Sequence, residues 1–324
     1  MKSKLLYLAG LVCIFLIACN KSDSSNDTNN PPAVTRDWFK LKTILKTTFN
    51  KTAFYSGDST DVQIDSVNNK IILKQYGLAK RSNDTSIQTF TYNSNNQLVL
   101  YEHIDAYTDL YISRMEFVRN ANGQVTKVLS QYKNGVMASS EGTVTYDKRG
   151  DTTFITFLDS AHKHTSYYED GQDYYQQALV NNKVVYIKSF PIISAYRTDS
   201  SVNKLEYDAA GNLITETYQY GKYTPDVYTY QYQSEQLNDY GKFIKQLSGD
   251  LFWFYRKNLF FLTYAEIGQN AGGNVLQTVK RNNTVYLSYT NGFDVNGNLS
   301  TVSHPLTNVV GGSYSITTQY KYRP

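Results

Sequence analysis

The chain has 324 residues, a formal net charge of +4, 41% hydrophobic and 15% aromatic residues, with tyrosine alone supplying 30 positions. A charge this close to neutral gives no basis for nucleic-acid binding. Two cysteines, Cys13 and Cys19, exclude a disulfide scaffold, and four histidines leave little material for a histidine-based metal cage.

Residues 1–18 come first. Lys2 and Lys4 precede a short apolar run from Leu5 to Leu16. About 12 residues fall short of the roughly 20 needed to span a bilayer, so the run reads as a secretory signal. It ends in Leu16-Ile17-Ala18-Cys19, which resembles the lipobox of bacterial lipoproteins. The resemblance implies cleavage after Ala18 and a diacylglycerol anchor on Cys19, and Asn20 at the second mature position favours the outer membrane. Removing residues 1–18 takes away Lys2 and Lys4 and no acid, so +4 − 2 leaves +2. Several acyl chains, each methylene contributing about 0.8 kcal/mol, would make release slow.

Residues 19–36 follow as a polar tether. "NKSDSSNDTNNPPAVT" holds almost nothing that could build a core, and as a flexible coil it reaches roughly 20 Å. Residues 37–324 then read as a single β-rich domain, since turn signals are spread evenly and mark no internal boundary.

The turns share a phrase. In Tyr207-Asp208-Ala209-Ala210-Gly211-Asn212-Leu213 the Asp can bond its own backbone two residues on, and the Gly can adopt φ > 0. Phe293 to Leu299 repeats it in register, and looser copies run from Tyr92 to Leu98, Arg119 to Val125 and Tyr146 to Thr152. Leu98, Val125 and Thr152 are each 27 residues apart, as a structural repeat requires. Gln236-Leu237 and Gly273-Asn274-Val275 are weaker copies, and insertions account for the drift. Between turns the period is two. Tyr228, Tyr230 and Tyr232 fall on one face of their stretch, as do Tyr314, Ile316, Thr318, Tyr320 and Tyr322 of theirs. The expected fold is all-β: an antiparallel meander of hairpins, strongly twisted or curled toward a barrel.

Residues 240–267 break the pattern. Phe243, Ile244 and Leu247 have helical spacing, followed by dense aromatic runs around Trp253. A short helix or irregular crossover packed on the sheet is expected, with an exposed aromatic patch gripping a ligand as the functional alternative.

The Tyr-Asp-x-x-Gly-Asn-Leu units at Tyr207–Leu213 and Phe293–Leu299 resemble the YD repeats of RHS-type proteins. The layout of lipobox, polar tether and degenerate hairpins resembles lipoproteins of the Bacteroidota. The resemblance covers residues 85–324 and the lipobox, and it implies hairpin architecture rather than an activity. Arg119 in the aromatic position and Thr152 in the Leu position depart from it.

Catalytic chemistry is not legible. HExxH, P-loop and GxSxG motifs are missing, and no catalytic or cofactor-binding residue is assigned. His162 and His164 share a strand face with Glu169, Asp170 and Asp173 nearby, but histidines in a polar stretch more often face solvent, and no metal or other cofactor is assigned. Asp58 and Asp61 could form an acid/base pair only if the fold brought them together. Asp58-Ser59-Thr60, Asp65-Ser66-Val67, Asp151-Thr152-Thr153 and Asp159-Ser160-Ala161 resemble the O-glycosylation signal of exported Bacteroidota proteins. The function read here is a lipid-anchored, non-catalytic binding or structural module of the outer membrane. Its partners would be the membrane through Cys19 and a glycan, peptide or envelope protein met by tyrosine faces. An envelope polysaccharide or peptide hydrolase is the alternative. The ligand, the membrane face and the oligomeric state are not encoded in any motif.

Overall fold

A computed structural model describes residues 37–50, 53–78, 85–105, 110–134, 136–159, 173–181, 183–191, 200–248, 273–306 and 314–324. Arg36–Pro324 forms one compact unit. Its strands run in chain order as β1 (Leu41–Asn50), β2 (Ala53–Asp65), β3 (Lys70–Gly77), β4 (Thr85–Tyr92), β5 (Leu98–Asp105), β6 (Leu110–Arg119), β7 (Val125–Asn134), β8 (Val136–Arg149), β9 (Thr152–Asp159) and β10 (Asp173–Val180). They continue with β11 (Lys183–Pro191), β12 (Ser201–Tyr207), β13 (Leu213–Tyr220), β14 (Asp226–Gln236), β15 (Asn274–Arg281), β16 (Thr284–Ser288), β17 (Thr290–Phe293), β18 (Leu299–Leu306) and β19 (Tyr314–Tyr322). The helix α1 (Asn238–Ser248) separates β14 from β15.

All the strands belong to one 19-stranded antiparallel sheet. β1 pairs with β2 on one side and with β19 on the other, so the meander curls until its two ends meet. Tyr289 divides one run into β16, paired to β15, and β17, paired to β18. Even there the Tyr289 amide donates to the Gln277 carbonyl at 2.8 Å. The result is a nearly closed barrel, the curled alternative expected from the turn spacing.

Alternation decides which side chains enter. In β8, Ser140, Gly142 and Val144 are buried while Ser139, Glu141, Thr143 and Thr145 are exposed. β3 turns Ile71 and Leu73 inward and leaves Tyr76 on the outside. The tyrosines of β14 and β19 also face inward: Tyr230 is paired with Val279, Tyr320 with Ile44, and both pack on the core.

The tight turns after β2, β4, β6, β8, β12 and β17 gather at one end, which also carries the entry segment Asp37–Lys40 and Arg323. α1 lies across this end. Its stripe of Tyr240, Phe243, Ile244 and Leu247, with Leu237 just before it, is buried to 3% exposure or less. Phe243 meets Phe39 edge-on at 4.9 Å, and Tyr240 packs on Tyr320 at 4.6 Å. The Tyr92 hydroxyl donates to the Leu247 carbonyl at 3.1 Å, and the Asn238 amide group donates to Gly297 O at 2.8 Å. Gln236 and Asn274 are register partners, so the whole excursion from 237 to 273 is an insertion into what would otherwise be one more hairpin turn.

The repeat has a physical basis. At Asn93, Asn120, Asp208 and Asp294 the first turn residue donates its amide to the carbonyl four residues on, at 2.9–3.0 Å. Its Oδ1 accepts the amide of that same residue at 2.8–3.0 Å. The fourth position has positive φ at Asn96, Gly123, Gly211 and Gly297 (58°, 78°, 90° and 75°). The copy expected from Tyr146 is different: β8 continues through Tyr146 and Asp147, and the reversal is the shorter Gly150-Asp151 turn. The 27-residue spacing survives because Leu98, Val125 and Thr152 each begin a strand.

Candidate functional site

Several expected positions, Cys19, His162, His164 and Trp253, lie outside the described residues. Asp58 and Asp61 are described and are not a pair. Asp58 faces inward opposite Lys46, whereas Asp61 faces outward and accepts from the Thr43 hydroxyl at 3.3 Å. Burial raises the Asp58 carboxyl above its usual range against the pull of Lys46 and a hydrogen bond from Gln75. Asp65 closes the β2–β3 turn by accepting from the Asn68 side chain at 2.7 Å and its amide at 3.0 Å, which holds it low. Val67, beside Ser66, is 90% exposed.

The sequence places Tyr228, Tyr230 and Tyr232 on one face and leaves open whether that face is buried or forms a groove. Tyr228 and Tyr230 are half-buried on the inner wall, because the residues they pair with, Glu216, Arg281 and Val279, share the face of the buried Leu205 and Leu213. The tyrosine-rich wall is therefore internal.

The polar chemistry of the described barrel concentrates on that wall, between β12 and β16. Glu216 is buried at 6% exposure, and its carboxylate accepts from the Asn203 side-chain amide and from the Tyr230 hydroxyl, the latter at 2.8 Å. Directly opposite Glu216, Tyr228 packs edge-on against Tyr286 at 6.2 Å, and burial raises its phenol. At the end opposite the tight turns, Arg281 forms a bidentate pair with Asp226 at 2.9 and 2.7 Å, and Asn282 adds a bond to Asp226 at 3.0 Å. The Arg281 contact holds Asp226 below the usual carboxylate range. Gly221, with φ 52°, donates its amide to Ser200 O at 2.8 Å and so fixes the β13–β14 turn, on which Tyr220 and Tyr223 stack within 13° of parallel. Sequence reasoning missed Glu216, Asn203 and the Tyr220–Tyr223 stack. Strict alternation from Leu213 would have put Glu216 on the opposite face; the irregularity that pairs Glu206 with Thr215 and Tyr207 with Leu213 turns both residues inward.

The outer wall carries exposed charged and polar side chains. Arg114 bridges Glu102 and Glu116 at 3.6 Å, and Lys127 meets Glu141 at 2.6 Å, all on the outside of the sheet. Lys204, Glu206, Gln231, Gln319 and Lys321 are exposed there too. No described helix is long and apolar enough to cross a membrane, and no group of three or more His, Cys, Asp or Glu among the described residues could hold a metal ion.

No protein-family model matches the chain, and no curated protein matches it. Among solved structures it is similar to a porin-like protein from Bacteroides uniformis, with 14% identity over 87% of this chain and 98% of that one and a TM-score of 0.45. A porin-like protein from Bacteroides vulgatus aligns at 12% identity over 88% and 99%, with a TM-score of 0.32. The TcdB2-TccC3-Cdc42 structure aligns at 8% identity over 86% of this chain and 18% of that one, with a TM-score of 0.22. All three TM-scores lie below 0.5, and none of these likenesses carries a function for this chain.

Proposed function

We propose that this chain is a lipid-anchored, non-catalytic binding module of the cell envelope, in which the barrel is a cup held off the membrane rather than a conduit through it. The observation that carries the reading is the distribution of polarity across the wall. A membrane-spanning barrel turns an apolar band outward and a polar face to its lumen. Here Lys127, Glu141, Thr143 and Thr145 face outward, while Ile71, Phe90, Phe117 and Val128 face the interior. A Lys or Arg facing lipid at the bilayer midplane would cost roughly 2 to 4 kcal/mol each. α1 and its aromatic contacts also lie across the end that carries the entry segment Asp37–Lys40.

The anchor is then Cys19, supported by the Leu16-Ile17-Ala18-Cys19 run and by the lack of any other cysteine in the mature chain. Detergent-phase partitioning in the native host tests both halves together. The parent should enter the detergent phase and Cys19→Ala the aqueous phase as a folded protein. A Cys19→Ala protein that still partitions into detergent would show that something other than this anchor holds it.

A further inference from the structure

The inner wall of β12–β15 grades from closed to open. Along β13, Leu213 is 2% exposed and Glu216 6%, Tyr218 is half-buried, and Tyr220 is 40% exposed, with Tyr223 just beyond it at 70%. Register pairs Tyr220 with Ser201, Tyr218 with Asn203 and Asp226, and Glu216 with Tyr228, so these side chains form one continuous face. Two different kinds of group alternate on it: flat aromatic surface, and a carboxylate and amide already in a hydrogen-bonded arrangement.

The outer part of this face is fixed in place. The Gly221 amide is tied to Ser200 O at 2.8 Å and Tyr223 N to Tyr220 O at 3.1 Å, which sets the turn carrying the stacked rings. Asp226, Arg281 and Asn282 lace that turn to the β15–β16 turn, and Val227 N adds a bond to Asn282 Oδ1 at 2.9 Å. A ligand meeting these rings would spend little conformational entropy on ordering them. Tyr223 at 70% exposure, stacked on a second half-open ring, is aromatic area presented to solvent by a rigid support.

We propose that this face is a subsite for a neutral oligosaccharide, with Tyr220 and Tyr223 as the stacking platform and Glu216 with Asn203 as the hydrogen-bonding base of the site. The proposal rests on the binding reading above and names its ligand class. A sugar ring has an apolar C–H face for an aromatic ring and hydroxyls around its edge for carboxylate and amide groups, which is the pairing this wall supplies. The charges on the wall select against an anion. Arg281 is committed to Asp226 through two bonds, and the remaining carboxylate, Glu216, repels a carboxylate or phosphate ligand.

Titration calorimetry on the full-length chain in detergent, with neutral gluco-, manno- and xylo-oligosaccharides as probes, tests this. At least one probe should bind. Tyr220→Ala and Tyr223→Ala should each weaken its Kd about tenfold or more, and Glu216→Gln should weaken it with the platform intact. Tyr76→Ala, on the outer wall, should leave it unchanged. Both platform substitutions lie at exposed positions, so far-UV circular dichroism should stay at that of the parent. Binding of a neutral probe unaffected by Tyr220→Ala and Tyr223→Ala would overturn the site while leaving the binding module standing. Binding confined to acidic oligosaccharides or peptides would overturn the ligand class. Cleavage of a probe would instead overturn the non-catalytic reading.

Discussion

Each five-residue turn is a small reciprocal device whose polarity depends on one atom. Where the turn opens with Asn93 or Asn120, its side-chain nitrogen donates to Gln97 or Gln124. Where it opens with Asp208 or Asp294, the direction reverses and Asn212 or Asn298 donates to the carboxylate. Burial pulls the Asp208 and Asp294 carboxyls upward, but the side-chain and backbone bonds they accept outweigh it, and both sit below the usual range. A lowered folded value means that these groups add stability above the ordinary carboxylate range and lose it as pH falls through that range toward their folded values. Asp208→Asn and Asp294→Asn should therefore flatten the acid limb of a plot of Tm against pH. At neutral pH Asp208→Asn should cost more, by about 1 kcal/mol, because Asn212 is also bonded to Asn274 at 3.1 Å and cannot turn to suit a new amide. Gly211→Val should destabilise by about 1 kcal/mol or more, since Gly211 holds φ 90° and a β-branched residue does not. An unchanged Tm for Gly211→Val would contradict the turn geometry. The opening Asx and the positive-φ Gly were legible in the sequence because each is a local requirement. The function of the aromatic position was not. The Tyr207, Tyr232 and Tyr322 hydroxyls donate to Val184, Leu213 and Leu299 carbonyls at 2.6–2.8 Å, at or next to the strand start after an earlier turn, and the Arg119 guanidinium does the same to Leu98 at 2.8 Å. Arg119, a departure in the sequence pattern, thus makes the same bond, and only the register of neighbouring hairpins reveals it.

Among the elements, α1 joins the two halves of the structure. Its buried stripe touches the entry segment through Phe39, β19 through Tyr320 and β4 through Tyr92, so the helix links chain positions that are otherwise distant. Phe243→Ala should destabilise by roughly 3 to 5 kcal/mol, the range for truncating a fully packed Phe, measured by chemical denaturation. A loss below 1 kcal/mol would mean that the helix is only resting on the barrel. Phe243, Ile244 and Leu247 made this helix readable, because apolar spacing of three and four residues has no strand counterpart. The third repeat was misread for the converse reason. Tyr146-Asp147 looks like a turn opening, but pairing with Ile155 and Phe154 keeps both residues in β8.

At the level of the whole molecule, closure was the least legible feature. Curling followed from the repeat, but the pairing of Leu41 with Tyr322 and of Asn50 with Tyr314 joins the two ends of the domain, and nothing local encodes it. Arg323 seals the seam, donating to the Leu41 and Val62 carbonyls at 3.0 and 2.5 Å. The polarity of the wall, by contrast, is written in the alternation of strands such as β8, where Ser140, Gly142 and Val144 are buried and Ser139, Glu141, Thr143 and Thr145 exposed, and it supports the central proposal that the barrel wall stands in water. Since the two cysteines, Cys13 and Cys19, both precede residues 37–324, single cysteines at Ser139, Glu141, Thr143 and Thr145 can be labelled in native membranes with a membrane-impermeant maleimide, after opening the cells so that both sides are reached. These four outward positions of β8 should all react at similar rates. A contiguous block of protected positions along the strand would place that wall in lipid and contradict the claim.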